Sequence, residues 1–267
     1  MQRKNVNRNF NIVGFFSSLH FLWDSKFSFQ GESHEMWEIV YINRGKVEVT
    51  EDERIQVLEK DHMMIHAPWE FHRIRSVGDT MPEVYVMSFF ADGELPLKLK
   101  EGIFILNFDQ GIQYRAICEK VSFFLNQESL SPYAGQEAAD ALSAFLIGLS
   151  GENVNACSDT SPSAIEYRKL VIAMSNGICE NKTLEDFAQE CGDSVSYIKQ
   201  LFQKYAGISP KSYYNKIRVR YASKLLESGE AVSVIAEKMN FSSSNYFSAF
   251  FKKYTGFSPI EYKYKNR

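Results

Sequence analysis

Two sets of hydrogen-bonding side chains occupy corresponding places in the last third of the chain. Between Val195 and Tyr205 the apolar residues Tyr197, Ile198, Leu201, Phe202 and Tyr205 form one helical stripe, and Ser196, Lys199, Gln200 and Gln203 fall off it. Further on, Tyr246, Phe247, Phe250 and Phe251 form a second stripe, with Ser244, Asn245, Ser248 and Ala249 off it and Lys252 and Lys253 following. Lysine donates to guanine acceptors and glutamine pairs with adenine through two hydrogen bonds, so helices of this kind carry the chemistry of reading DNA. A third set lies far upstream: His34 and Glu38, with His72 after Pro68. Taken by themselves, these three side chains fill polar positions at a domain mouth.

The elements that position the first two sets are repeated. Shifting the unit Thr183–Tyr213 by 49 residues brings Ser194 onto Ser243, Tyr197 onto Tyr246, Phe202 onto Phe251, Gly207 onto Gly256, Pro210 onto Pro259 and Tyr213 onto Tyr262. Each unit reads as a short helix, a tight turn and a second helix. In the first, Thr183 caps a helix with Leu184, Phe187, Ala188 and Cys191 on its apolar face, Gly192 supplies a positive-φ turn residue, and Ser194 caps the next helix. In the second, Val232, Ile235, Ala236 and Met239 are followed by Asn240 in the turn and Ser243 as the cap. Ser209-Pro210 starts a connecting helix of about 20 residues, which spans roughly 30 Å against about 34 Å for a DNA turn. Another helix, starting at Pro162 or Ser163, precedes the first unit.

From Ala164 onward there are 16 Lys+Arg against 10 Asp+Glu, a net of +6, while the remainder has 14 against 23, a net of −9. A basic segment of this kind suits attraction to phosphate. The strings FQKYAGISPKSYY and FFKKYTGFSPIEYKY, each closing a helix-turn-helix, resemble the paired DNA-binding units of the AraC/XylS family of bacterial transcription regulators. The resemblance covers roughly the last hundred residues. It implies that Ser196, Lys199 and Gln200 face base edges, with Gln203 and Lys204 close to phosphates. It also implies that Ser244, Asn245 and Ser248 face outward, with Lys252 and Lys253 after them. Ala249 stands where the family often carries arginine, which implies that the second unit contributes mainly phosphate contacts.

Upstream, between about Ile12 and Leu106, short apolar runs (EIVYI, KVEVT, RIQVLE, HMMIHA, VYVMSFF, GIFIL) alternate with turn signals. Asn43-Arg44-Gly45 and Asp52-Glu53 read as hairpin breaks, and many short strands at this spacing favour a small barrel or jelly roll. The acidic EDER segment reads as a solvated hairpin tip. His34, Glu38, Gly45, Pro68 and His72 resemble the motifs of the cupin barrel, with Met36 in place of the second metal-binding histidine. The resemblance implies that His34, Glu38 and His72, which remain from the family's ligand set, could hold a divalent ion with water completing the shell or, with Trp37, bind an effector; the effector-binding set is taken, and no metal or other cofactor is assigned. Trp23, Trp37 and Trp69 offer stacking surfaces for a sugar or aromatic ring, or else ordinary core. His62 and His66 share one strand face, read as an outer one.

From Gln110 the period becomes helical. Ile112, Ala116, Ile117, Val121, Phe124 and Leu125 mark one helix, and Ala138, Leu142, Phe145, Leu146 and Leu149 mark another. An apolar helical pair beside a small barrel either packs on it or, as is often so in regulators resembling this chain, dimerises. The expected organisation is therefore multi-domain α+β: a cupin-like effector-sensing β-barrel over 1–108, a helical dimerisation segment over 109–150, a linker over 151–163, and an all-α double helix-turn-helix over 164–267 with units at 183–205 and 231–254. The four cysteines form no CxxC pair and suit a reducing compartment. No apolar run approaches the ~18 residues of a membrane span, and no catalytic triad, phosphate-binding glycine loop or nucleophile elbow appears. The expected protein is a cytoplasmic, non-enzymatic, sequence-specific regulator that binds double-stranded promoter DNA as a homodimer and responds to a small molecule such as a sugar. The alternatives are a metal-dependent cupin enzyme fused to a DNA-binding domain, and a constitutive regulator without an effector.

Overall fold

Parity along the second strand accounts for the layering of the N-terminal half. The computed structural model describes residues 10–93, 103–126, 131–149 and 161–265. Eight strands come first: β1 (Phe10–Leu22), β2 (Trp37–Arg44), β3 (Lys46–Glu51), β4 (Arg54–Glu59), β5 (His62–His66), β6 (His72–Ser76), β7 (Glu83–Gly93) and β8 (Ile103–Ile105). They form two antiparallel sheets, one of order β1-β7-β2-β5-β8 and one of order β4-β3-β6. In β2, Ile39 and Tyr41 pack under the helices that follow, while Val40 and Ile42 pack with Val47, Val49 and Leu58 of the smaller sheet. Both faces of the larger sheet are covered, so its central strand reads as an unbroken apolar run.

The expected β domain is present, but among the described residues its strands do not close into a hydrogen-bonded ring. Gly45 shows why the chain changes sheets where a hairpin was expected. It takes φ +81°, and a Cβ there would come within 2.8 Å of the Pro82 backbone, so β3 leaves the plane of β2 and pairs with β4 and β6 instead. The Asp52-Glu53 break is a hairpin as expected, with Glu51 opposite Arg54 and Asp52 at φ 45°.

Two helices, α1 (Phe108–Leu125) and α2 (Ala134–Leu149), lie on the larger sheet. Asn107 and Gln110 form a capping box that starts α1. All five apolar positions expected for α2 are buried. The stripe of α1 is rotated from expectation: Gly111, Tyr114, Ile117, Cys118 and Val121 face the core, and Ile112, Ala116 and Phe124 face outward. Gly111 decides the rotation, because a Cβ there would meet the Tyr41 hydroxyl at 2.7 Å.

The C-terminal half is helical: α3 (Pro162–Asn176), α4 (Leu184–Cys191), α5 (Val195–Tyr205), α6 (Pro210–Glu227), α7 (Val232–Lys238), α8 (Ser244–Thr255) and α9 (Pro259–Lys265). Thr183 and Asp186 form a capping box on α4, and Ser194, Ser209 and Ser243 cap α5, α6 and α8 through their hydroxyls. Gly192 at φ 75° and Asn240 at φ 56° make the two left-handed turns. The expected linker lies almost wholly outside the described residues. No described helix is long and apolar enough to cross a membrane.

The two halves share a core. Ile55 and Phe71 of the β domain are buried with Tyr167, Phe202 and Tyr213 of the helices, and Phe71 meets Tyr213 edge-on at 4.9 Å. The EDER tip, expected to be solvated, is the centre of this contact: Glu51 is 1% and Asp52 9% exposed. Asp52 Oδ1 accepts from the Tyr213 hydroxyl at 2.9 Å, and Oδ2 accepts from Arg220 Nη1. Nearby, Trp69 Nε1 donates to the Tyr262 hydroxyl at 3.0 Å, and Arg168 donates to the Glu53 carbonyl at 3.2 Å. Removing one partner of a buried pair strands the other, so Asp52→Ala is expected to cost about 3–5 kcal/mol of docking. Scanning calorimetry checks it: one cooperative endotherm should separate into two.

Candidate nucleic-acid interface and ligand cavity

Capping and turn geometry present α5 and α8 with their polar sides outward. In α5, Ile198, Leu201, Phe202 and Tyr205 are buried, and Ser196, Lys199, Gln200 and Gln203 are exposed on the opposite side. Lys199 also lines a groove with Lys182, Lys211 and Asn215, between the first helix-turn-helix and α6. Lys182 and Lys211 were not singled out from the sequence; only the fold brings them beside Lys199. Lys182 is held by Glu180 and Glu190 at 3.0 Å each. Lys204 is exposed too; its Nζ donates to Ser163 Oγ at 2.8 Å, and its carbonyl accepts from Arg73 of β6. In α8, Asn245, Lys252 and Lys253 are exposed, while Ser248 donates to the Ser244 carbonyl at 2.8 Å.

Arg218 ties the two units together. It is 4% exposed, lies 4.4 Å from the Phe241 ring, and donates to the Met239 carbonyl at 2.7 Å. That carbonyl closes α7, so the turn of the second unit is anchored on the connecting helix.

A cavity of about 580 Å³ opens in the β domain, within the usual range for small-molecule sites. Its walls are apolar, with Trp23 stacked on Phe27 at 4.0 Å, and its polar groups gather at one end. There Glu38 is central: Ser88 Oγ donates to it at 3.1 Å, His72 Nε2 lies 3.3 Å away and His34 Nε2 lies 3.4 Å away. The His34 contact is a loose approach, outside good hydrogen-bond geometry. His66 also lines the cavity and places Nδ1 3.0 Å from Glu51, which corrects the outward reading of its strand face. Trp37 is separated from His34, Glu38 and His72: it packs with the core under α1 and α2, because its neighbour Glu38 takes the cavity face. Trp69 packs with the second helix-turn-helix, and Trp23 alone of the three tryptophans lines the cavity.

Burial pushes the Glu38 carboxyl up, but the His72 charge and the approaching imidazoles outweigh it and hold the group well below the usual carboxylate range. Burial likewise works against protonated His72, yet Glu38 raises it to about 9. Burial dominates at His66, lowered to about 3, and at Glu51 and Glu70, each pushed up to about 7. Glu32, His34, Glu38 and His72 bring carboxylate and imidazole atoms within 4.8 Å of one another, the donor types a divalent cation takes. Here Glu38 lies between the two imidazoles, 3.3 Å from His72 Nε2 and 3.4 Å from His34 Nε2.

The sign of the pH dependence follows from these directions. His72 gains a folded value of about 9 over an unfolded one near 6.5, so its contribution is complete below about pH 6.5 and is lost as pH climbs towards 9. Glu51 and Glu70, raised to about 7, lose theirs over the window from about 4.3 to 7 and so add the same sign at the lower edge. Thermal melts between about pH 6.5 and 9 should show stability falling by about 2 kcal/mol, and Glu38→Gln should flatten that slope.

Comparison with known proteins adds a family to this geometry. The family described as "Helix-turn-helix domain" matches residues 187–265. The HTH-type transcriptional activator RhaR of Enterobacter sp. (strain 638) is 26% identical over 255 residues, covering 90% of this chain and 88% of RhaR. The HTH-type transcriptional regulator ExsA of Pseudomonas aeruginosa is 32% identical over 81 residues, 30% of this chain and 29% of ExsA. Among solved structures, apo ToxT K231A from Vibrio cholerae strain SCE256 aligns over 99% of this chain and 100% of its own at 16% identity, with a TM-score of 0.40.

Proposed function

We propose, from the premise that this chain is a DNA-binding transcription regulator of the AraC family, that α5 and α8 enter successive major grooves of a promoter and that a small molecule in the β-domain cavity sets the posture of that reading domain. The observation that carries the second half is β6. Its first residue, His72, belongs to the cavity, and the next, Arg73, both lines the cavity and donates to the Lys204 carbonyl at the end of α5. The segment before β2 is shared in the same way: Phe29 and His34 line the cavity, while Gly31 donates its backbone N–H to the Ala206 carbonyl at 3.2 Å. A Cβ on Gly31 would fall 2.6 Å from that carbonyl and 2.0 Å from the Phe71 ring, so the strap and the end of α5 move together or lose contact. An effector that favours one arrangement of the strap thereby favours one docking of the reading domain.

The N-terminal domain is cupin-like in this reading, with the sensor over 1–108, the dimerisation helices over 109–150 and the reading domain over 164–267. The chain acts by binding alone. Phe108, Ile112 and Phe123 of α1 and Ile147 of α2 are 79%, 44%, 48% and 57% exposed, which supports a homodimer formed through this helical pair. Phe123→Glu is expected to give monomers in analytical ultracentrifugation with the melting temperature retained.

For the reading face, Lys199→Ala is expected to relax base preference at one position and cost about 1–3 kcal/mol, whereas Lys252→Ala weakens all sequences alike. Footprinting both variants on the cognate and a shuffled site separates them; equal losses on both DNAs for Lys199→Ala reject its reading role.

A further inference from the structure

The cavity limits what can occupy it, because its polar groups are few and nearly all are committed. Ser88 and His72 both serve Glu38, and His72 Nδ1 lies 3.1 Å from the Glu70 carbonyl, so both nitrogens of His72 face acceptors and carry protons. Arg73 donates to Ser28 Oγ, to the Phe29 carbonyl and to the Lys204 carbonyl. His34 is the exception. Both of its ring nitrogens are buried and have no hydrogen-bond partner among the described residues, Nε2 reaching Glu38 only loosely at 3.4 Å. A buried acceptor without a donor is costly, and a ligand that brings the donor removes the cost.

The remaining surface is apolar. Phe21, Trp23 and Phe27 form a ladder of stacked rings, with centroids 5.5 and 4.0 Å apart, facing aliphatic side chains such as Val40 and Val86. A sugar would bury hydroxyls against walls that offer no partners. A carboxylate would meet Glu38 and Glu32 with no uncommitted cation beside it. We propose that the effector is an uncharged aromatic or fused-ring molecule with a single hydroxyl or N–H group that hydrogen-bonds the His34 imidazole. This rests on the cavity being the effector site, and it replaces the sugar expected from the sequence.

Isothermal titration of the full chain with hydroxybiphenyl, methoxybiphenyl, biphenyl carboxylate, methyl glucoside and zinc chloride tests the class. Hydroxybiphenyl should bind, its methyl ether should bind at least about tenfold more weakly, and the carboxylate and the glucoside should not bind. Zinc should neither bind at His34 nor displace hydroxybiphenyl. His34→Phe should abolish the difference between phenol and ether, and Val86→Trp, which fills the cavity, should abolish binding of both; a far-ultraviolet circular dichroism spectrum and a cooperative melt like those of the parent chain show that each variant folds. The proposal is overturned if phenol and ether bind alike, if the preference survives His34→Phe, if the glucoside, the carboxylate or zinc is the better ligand, or if nothing binds. Hydroxybiphenyl that binds as stated without changing DNA affinity or footprint leaves the ligand chemistry standing and refutes the sensor reading instead.

Discussion

One carboxylate at the tip of a two-residue hairpin holds the two halves of this protein in register. Asp52 sits in the left-handed region, which turns its side chain out of the sheet towards α6. Tyr213 and Arg220 lie seven residues apart, two turns along one face of that helix, so both oxygens of Asp52 bind the same rigid rod. A bidentate grip of this kind fixes rotation as well as distance. Ile55 and Phe71 fill the space around it with apolar contact, so the charged pair is bordered by a core shared between the domains rather than by water. The rest of the interface is positioned by that grip, including the Trp69–Tyr262 hydrogen bond to the last helix.

What the sequence disclosed depended on how locally each feature is determined. The caps at Thr183, Ser194 and Ser243 and the left-handed residues Gly192 and Asn240 are decided within a few residues, and they occur where chain order alone places them. Asp52 and Glu51 were misread because charge alone does not mark burial: the partners of Asp52 are more than a hundred residues away, and Glu51 meets His66 of the other sheet besides its near neighbour Arg54. The stripe of α1 was misread because Gly111 has no hydrophobicity to score, yet its lack of a Cβ lets the helix approach Tyr41. Trp37 was legible and missed: once Glu38 is placed in the cavity, period-two alternation sends Trp37 to the other face. Of the cavity set, His34, Glu38 and His72 do converge, while the aromatic wall of Phe21, Trp23 and Phe27 comes from a strand and a connecting segment with no shared periodicity.

The buried charges of the β domain bear on its relation to the reading domain. Glu51, Glu70 and Arg54 form a cluster one residue from Asp52, with Arg54 Nη2 3.1 Å from Glu70 and bonded to Glu51 as well. One arginine faces two carboxylates in a desolvated place, and burial therefore leaves both acids hard to ionise. His66 closes the cluster on the cavity side, stacked on His72 at 4.4 Å. Cavity, hairpin tip and interdomain grip are thus neighbours within one polar chain rather than separate sites.

Docking and DNA reading use different surfaces of the same helices. The outward residues Ser196, Lys199, Gln200 and Gln203 stay exposed while the last turn of α5 is held by Arg73 and Gly31, so contact with the β domain does not mask the polar face proposed for DNA reading. Control by simple occlusion is therefore unsuited to this arrangement, and control by orientation suits it. α6 is the element through which orientation acts: its 18 residues span about 27 Å. The β domain grips α6 at Tyr213 and Arg220, and Arg218 fastens the second unit to the same helix. A small rotation of that rod against the hairpin tip moves both reading helices as one body. Because duplex DNA accepts two helices only at a fixed pitch, such a rotation changes how well both fit at once.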